Sequence, residues 1–246
     1  HYAHLPMILG ADKSKLSKRH GATNVIDYRD EGFLPEALFN FLALLGWSPV
    51  GEQEILTREE LIQQFSLDRV SKAGAVFDLV KLKWMNGQYI RKLEPTAYVE
   101  AIRPYLSNDT KQRLSSFSDD QQQQMFLAVR DNLEVLTQIN DYLGVFLRTD
   151  EEFNAKMAEH TFDAPTLEIL ALAANRLEDV SEITEETATI YKDALLAETK
   201  LGMGKVFKPF RCAVSGETTG PHILTLMTIL GKETLLTRLR RVVSQD

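Results

Sequence analysis

Cysteine is nearly absent from this chain, which has Cys212 alone among its 246 residues. A single thiol excludes an internal disulfide and a zinc site built from several thiolates, and it suits a reducing, cytoplasmic location. No apolar run approaches the roughly 20 residues that a membrane-spanning helix requires, so we expect no membrane contact. The first residues also lack the cationic and apolar order of a secretory signal.

Phosphate-binding glycine motifs are missing as well, since neither G-x-G-x-x-G nor G-x-x-x-x-G-K-S/T occurs. Strand and helix patterns do not alternate, which argues against an open parallel sheet. Strand-like stretches occur only at residues 2–9 and 211–214. Helix signals are frequent instead, with capping residues ahead of apolar repeats at Thr57, Asp78, Ser118 and either Thr149 or Asp150. We therefore predict a mainly α fold with a small α/β piece at the front.

Glycine and proline predict where these helices end. The pair Asn86-Gly87 is expected to break the helix that Asp78 begins, and Gly231 is expected to separate two C-terminal helices. The glycines and prolines between residues 202 and 221 predict a turn-rich loop. Helical spacing places four large apolar side chains in the core, namely Trp47, Phe77, Leu82 and Trp84.

The net charge is −7, yet the basic residues are clustered. Residues 150–198 contain thirteen carboxylates and only three bases. By contrast, residues 69–92 contain six bases and a single acid, and residues 199–215 contain four bases and no acid. Local patches rather than totals decide attraction to phosphate, so the basic segments are candidates for RNA contact. Solvated helix surfaces carry similar charges, and this alternative stays open.

A short polar loop with four cations between residues 13 and 19 follows the first apolar run. Lys15 and Lys18 are close enough in sequence to address one polyanion, and Ser17 adds a hydroxyl donor. Phosphoryl and nucleotidyl transfer depend on such electrostatic stabilisation. Lysine-serine loops are common, so composition alone favours a solvated or regulatory loop.

The order of residues in this loop is more informative than its composition. A-D-K-S-K-L-S-K-R-H-G-A resembles the second signature of class I aminoacyl-tRNA synthetases, usually written KMSKS. In bacterial glutamyl-tRNA synthetases this signature is typically KLSKR followed by HG. Three further blocks, at residues 35–47, 69–91 and 207–221, are similar to segments of that family in the same order. The chain thus resembles the C-terminal half of a bacterial-type glutamyl-tRNA synthetase, starting just before the KMSKS-type loop.

The resemblance implies a site and a reaction. In this family the loop lies beside ATP, and its second lysine, here Lys18, contacts the phosphates while glutamyl-adenylate forms. Lys15, Leu16 and Ser17 are implied in support. The implied partners of the full enzyme are ATP with Mg²⁺ as substrate, L-glutamate and tRNA(Glu), and the family implies a monomer. No metal site is expected in this chain, because its histidines show no ligand spacing.

The family also implies a domain order: the end of the catalytic domain at residues 1–30, a helical stem-contact domain at 31–94, and helical anticodon-binding subdomains at 95–149 and 150–246. Anticodon recognition requires unstacked bases held by side-chain donors. Arg130 lies near the family's discriminating arginine, although its spacing to Leu136 differs from the family's. The candidate RNA contacts are Lys72, Lys81, Lys83, Arg130, Lys205, Lys208 and Arg211. For the segment that holds the last three, a packing role is an equal alternative to anticodon binding.

The family's first, HIGH-like signature and its glutamate pocket are expected upstream of residue 1. We therefore predict that this chain is part of a longer protein and does not aminoacylate alone. Two alternatives stay open: a tRNA-binding module without catalysis, and a class I synthetase for another amino acid, with lysine as the first choice. The salt dependence of RNA binding tests the former, and glutamate against lysine charging tests the latter.

Overall fold

A computed structural model describes residues 2, 5–21 and 24–244 of the chain, and for residue 20 the backbone alone. The fold is mainly α, as predicted. The elements are β1 Ile8–Leu9, α1 Val25–Asp30, α2 Pro35–Ala43, α3 Arg58–Gln64, β2 Ala75–Val76, α4 Leu79–Lys92, α5 Pro95–Ile102, α6 Asn108–Leu114, α7 Asp119–Val129, α8 Ile139–Leu147, α9 Asp150–Met157, α10 Ala164–Glu178, α11 Glu185–Thr199, α12 Met203–Ser215 and α13 Ile223–Val243.

The chain divides into two compact units. The first comprises His1–Leu106 together with Leu133–Ile139, and the second comprises Ser107–Asn132 and Asn140–Asp246. The four-domain order given above remains a prediction.

The predicted N-terminal caps are present at all four positions, and the fourth is Thr149, with Asp150 as the first residue of its helix. Thr57 and Ser118 each accept a hydrogen bond from a backbone N–H three residues later, as do Asp78 and Thr149. The Thr57, Ser118 and Thr149 caps are reciprocal, because the glutamate or glutamine at that third position bonds back to the cap's own N–H. Such caps satisfy amide groups that the helix itself leaves without partners.

Among the residues that the structure describes, the strands form one short parallel pair, which lies in the first unit. β1 pairs with β2, with Ile8 opposite Ala75 and Leu9 opposite Val76. The strand predicted over residues 2–9 is therefore confirmed only at its end, and residues 3 and 4 lie outside the described residues. The strand predicted at residues 211–214 is wrong, because that segment belongs to α12 and buries an apolar face at helical spacing.

The core of the first unit lies between α1, α2 and α4. Its buried members include Tyr28, Phe33, Leu38, Phe41, Leu82 and Met85, and Val135 joins them from the returning segment. Leu82 is buried and Phe77 packs partly buried against this cluster, as predicted. Trp47 is also buried, beside Leu56 and Leu61.

The prediction for Trp84 is wrong, because its side chain is 43% exposed. Helix α4 buries Leu82, Met85 and Ile90, and Trp84 lies on a different face beside the exposed Val80. Helical spacing does not identify which face is buried when both carry large apolar residues.

The break predicted at Asn86-Gly87 is also wrong, because α4 continues through both residues. The Asn86 side chain is fully buried; its Oδ1 accepts from Leu34 N (2.8 Å), and its Nδ2 donates to Glu134 O (2.6 Å). At Gly87, an added Cβ would lie 3.0 Å from Leu133 O. This dipeptide therefore serves close packing inside a helix and does not form a turn.

In the second unit, α13 packs against α10 and α12. The predicted interruption at Gly231 is confirmed, since this residue has φ 72° and ψ 165° within α13. Arg238 is buried; its guanidinium donates to Val214 O (2.6 Å) and lies 4.6 Å from the centre of the Phe153 ring. Burial lowers the pKa of Arg238 to about 10, so it stays cationic at neutral pH. None of the helices in the described part of the chain combines the length and apolar character that crossing a bilayer requires.

Candidate functional site

The loop with four cations is the far end of a β-hairpin that begins at β1. Gly10 N–H donates to Ser14 O (2.8 Å), and Lys13 N–H donates to Gly10 O (2.9 Å). Beyond this tight turn the chain returns antiparallel, with Lys15 opposite Leu9. Lys13 closes the turn with φ 62°, in the left-handed region. Three-residue hairpin loops use a left-handed residue at this position, and glycine is the residue best suited to it.

A side-chain clasp fixes this turn. The Asp12 carboxylate accepts from the backbone N–H of Ser14 (2.9 Å) and from its hydroxyl (2.7 Å). Arg19 reaches back to donate to Ser14 Oγ (3.0 Å) and lies 3.9 Å from Asp12 Oδ2. Sequence reasoning missed this clasp. The available signal was an aspartate two residues before a serine, a spacing typical of side chains that bond to their own turn.

The lysines of the hairpin have no such partners within the described residues. Lys13, Lys15 and Lys18 are exposed, and none of them has an ion pair within the part of the chain that the structure describes. Leu16 and Ser17 are half-buried between them. Lys18 begins a short 3-10 turn, Lys18–His20. Of the four loop cations, Arg19 therefore serves the hairpin itself, and three ammonium groups remain available to an anion.

A cavity of about 560 Å³ lies behind the hairpin, lined by Gly10, Ala11, Leu16, Gly21, Tyr28, Glu31 and residues 76–80. Burial, and then the nearby Glu31 and Asp27, raise the pKa of Tyr28. Neither Lys15 nor Lys18 lines this cavity. Its apolar walls support the hairpin from one side and leave the lysines on another.

The candidate lysines around α4 differ in their surroundings. Lys81 is committed to an ion pair with Glu54, at 2.5 Å between Nζ and Oε1. Lys72 is exposed and Lys83 is half-buried, and neither has an ion pair among the described residues. Lys72 and Lys83 are thus the ones free to meet a phosphate without first breaking a bond.

The candidates of the second unit fall into two groups. Arg130 begins a 3-10 turn after α7 and is ion-paired with its neighbour Asp131 (3.5 Å). Lys205 and Lys208, one turn apart on α12, line a cavity of about 530 Å³ with His160, Thr161, Phe162, Asp163, Thr166, Gly204, Pro209, Cys212 and Thr218. Both lysines are exposed and have no ion pair in the described part of the chain.

Arg211 has a structural bond that the sequence did not predict. Its guanidinium donates to Pro221 O (2.5 Å), and its burial lowers its pKa. The turn-rich loop predicted for residues 202–221 is wrong over most of its length, because α12 occupies Met203–Ser215 and contains Pro209. Only the segment after α12 is irregular, and Arg211 ties it to the helix.

No three histidine, cysteine, aspartate or glutamate side chains converge on a possible metal position within the described residues. The thiol of Cys212 is buried, and this burial, followed by the charge of Glu217, raises its pKa to about 11. A thiol with so high a pKa is protonated at neutral pH and is a poor nucleophile.

Comparisons with known proteins cover both units. Residues 97–243 match the family model described as an anticodon binding domain, and residues 1–84 match the catalytic domain of class I tRNA synthetases of the E and Q type. A catalytic segment of this class joined to a helical anticodon-binding domain defines a class I aminoacyl-tRNA synthetase.

The curated relatives narrow the class. A glutamate–tRNA ligase of Moorella thermoacetica is 40% identical over 98% of this chain and 50% of its own length, and one from Desulforudis audaxviator is 41% identical over 99% and 50%. A crystal structure of a glutamate tRNA ligase from Elizabethkingia meningosepticum in complex with its amino acid aligns with TM-score 0.73 at 30% identity, over 99% of this chain and 51% of its own. The chain belongs to the glutamyl-tRNA synthetase family, which confirms the resemblance seen in four sequence blocks. It spans about half the length of the curated relatives it matches.

Proposed function

We propose that the chain is part of a glutamate–tRNA ligase, to which it contributes the ATP loop and the tRNA-binding helices. The observation that carries this proposal is the identity of about 40% to glutamate–tRNA ligases over nearly the whole chain. The complete protein would activate L-glutamate with ATP and its Mg²⁺, and would then transfer glutamate to the terminal ribose of tRNA(Glu). We propose a cytoplasmic monomer, as is typical of the family.

In the first step a glutamate carboxylate oxygen attacks the α-phosphorus of ATP, the bond to the β-phosphate oxygen breaks, and pyrophosphate leaves. Negative charge builds on the phosphate oxygens during this displacement, so cations held nearby lower the barrier. Lys18 is the principal group in this role, with Lys15 and Ser17 in support and Leu16 adjoining the phosphates. No side chain of this chain acts as a nucleophile or general base.

The exposed apolar surface supports a larger catalytic domain around the first unit. Within the described residues, all exposed large apolar side chains except Ile190 and Met203 lie at or before residue 84. An excess of exposed apolar side chains in one part of a chain is consistent with a surface that another domain covers. We propose that the rest of the catalytic domain, with the glutamate pocket and the HIGH-like signature, covers much of this surface.

The helical remainder is proposed to hold the RNA, with a stem-contact domain at residues 31–94 and anticodon-binding subdomains at 95–149 and 150–246. Lys72 and Lys83 would meet phosphates in the first, together with Lys81 once its pair with Glu54 opens. Arg130, Lys205, Lys208 and Arg211 are the candidates in the second and third.

Because the glutamate pocket and the HIGH-like signature are proposed to lie outside this chain, which spans half the length of its relatives, we expect the isolated chain to give no glutamate-dependent exchange of pyrophosphate into ATP. The complete polypeptide should exchange with glutamate and not with lysine. Both are measured with labelled pyrophosphate. Robust exchange by the isolated chain would refute the assignment of the glutamate pocket elsewhere, and lysine-dependent exchange by the complete polypeptide would favour the lysyl alternative.

The isolated chain should nevertheless bind tRNA(Glu) through phosphate contacts. Replacing both Lys205 and Lys208 with alanine is expected to weaken binding about tenfold and to reduce the slope of log K against log salt by about 2, roughly 0.9 per contact. Fluorescence anisotropy at four salt concentrations measures both quantities.

Lys192→Ala is the matched control for this measurement, since Lys192 is paired with Asp193 in the acid-rich segment. It removes one positive charge from the same unit and should leave the slope unchanged. Because the control removes one charge and the double variant removes two, a control effect half that of the double variant would show that only net charge matters and that the α12 lysines make no direct contact.

A further inference from the structure

The backbone of Lys13 sets it apart from the other lysines of the hairpin. Among the described residues, only Lys13 and Lys200 have positive φ without being glycine, at 62° and 54°. A side chain in this region is disfavoured by contact between Cβ and the backbone. A lysine persists at such a position when some other interaction or function compensates.

Lys200 has an ordinary structural explanation. It is the C-cap of α11, and its N–H donates to Leu196 O (3.0 Å). Helices commonly end in a left-handed residue, and a cation there is stabilised by the helix dipole. Lys13 ends no helix, so neither reason applies to it.

The contacts around Lys13 do not explain its side chain either. Its N–H closes the turn to Gly10 O, which glycine or asparagine would do equally well. The neighbouring Asp12 carboxylate is occupied by Ser14 and Arg19. The Lys13 side chain is exposed, and its ammonium has no ion pair within the described part of the chain. Lys15, which is also exposed, lies two residues further along the sequence.

We propose that Lys13 is a third phosphate-binding lysine, which acts with Lys15 and Lys18 on the polyphosphate chain of a nucleoside triphosphate. This inference rests on the proposed function of the loop. The Asp12–Ser14–Arg19 clasp fixes the turn and engages the Arg19 guanidinium, so that the three exposed ammonium groups of the hairpin are left for a polyanion. The left-handed backbone is then the conformational cost of placing a cation where glycine fits best.

The test uses this chain labelled with ¹⁵N-lysine and titrated with sodium tripolyphosphate, while NMR follows the amide signals of the three hairpin lysines. In the unmodified chain these signals should shift together with one dissociation constant. Lys13→Gly and Lys13→Asn both tolerate the left-handed backbone and remove the charge. Each should weaken binding about fivefold, the effect of one ion pair near the surface, whereas Lys13→Arg should bind as the unmodified chain does.

Hydrogen exchange of the Gly10 amide, followed in uniformly ¹⁵N-labelled samples of the same variants, measures the backbone. Because glycine relieves the left-handed strain, Lys13→Gly should protect this amide about threefold to tenfold better. Better protection of the Gly10 amide with unchanged tripolyphosphate affinity would overturn the proposal, since the left-handed backbone of Lys13 would then be strained without a contribution to anion binding.

Lys18→Ala separates this inference from the function on which it rests. If Lys18→Ala weakens binding and the Lys13 variants do not, only the role of Lys13 fails. If none of the variants changes binding, the hairpin is not a polyphosphate site and the proposed function of the loop fails with it. Orthophosphate, which is too short to reach three lysines, should shift these signals less at equal concentration.

Discussion

Replacement of Lys18 by alanine in the complete polypeptide is expected to slow glutamate-dependent pyrophosphate exchange by about 10²–10³, the effect of removing one preorganised charge from a transition state. Lys18 is exposed and has no ion pair in the described part of the chain, so the variant should fold normally. Its thermal midpoint should match that of the unmodified protein. The loss should fall on kcat, because the charge that Lys18 opposes grows during the displacement.

Lys92→Ala is the matched control for this variant. Lys92 lies at the C-terminal end of α4, is exposed and belongs to the same unit, but it has no assigned contact with a substrate. The control should exchange pyrophosphate at the normal rate. Full turnover of Lys18→Ala, or an equal loss in both variants, would show that the loop has no specific role in the reaction. The proposed function would then rest mainly on the helical remainder of the chain.

Much of the fold could be predicted because its signals are local. Thr57, Ser118 and Thr149 cap the next turn of their own helices, so a spacing of three residues is enough to find them. Gly231 likewise interrupts a helix through its own backbone dihedrals. Such features depend on neighbours in the sequence and can be recognised without knowing what packs nearby.

The predictions that were wrong concern segments whose structure is decided by contacts with residues distant in the sequence. The proline and glycines of residues 202–215 favour turns locally, but the buried face of α12 outweighs them. Trp84 keeps the spacing of a core residue and is exposed, because the other face of α4 is the one covered. No local pattern carries this information.

The candidate site divides in the same way. The order of letters in the KLSKR loop was enough to propose the roles of Lys15 and Lys18. The clasp of Asp12, Ser14 and Arg19 depends on a hairpin that the sequence showed only as a polar loop. The left-handed backbone of Lys13 is a property of the folded turn, and the presence of a lysine at this position does not predict it.

Asn86 provides the largest expected effect on stability. Its side chain bridges two backbone segments far apart in sequence, through Leu34 N (2.8 Å) and Glu134 O (2.6 Å). Alanine at this position would leave a buried N–H and a carbonyl without partners and would open a small cavity. We expect a loss of about 3–5 kcal/mol in the free energy of unfolding of the first unit. Urea denaturation followed by tryptophan fluorescence measures it, since both tryptophans of the chain, Trp47 and Trp84, lie in the first unit.

Gln88→Ala is the matched control, since Gln88 is a half-buried amide on the same helix without a hydrogen bond among the described residues. It should cost less than about 1 kcal/mol, as is usual away from buried networks.

Asn86→Asp adds a second check. It keeps the acceptor for Leu34 N but directs a carboxylate at Glu134 O, so burial should raise its pKa above the unfolded value of about 3.9. The free energy of unfolding of Asn86→Asp should therefore fall furthest below that of the unmodified chain at neutral pH. This difference should shrink as the pH falls through the raised pKa, because a protonated carboxyl can donate to Glu134 O. If Asn86→Ala were no worse than Gln88→Ala, the two backbone bonds would contribute little, and the continuity of α4 through Asn86-Gly87 would have to come from apolar packing alone.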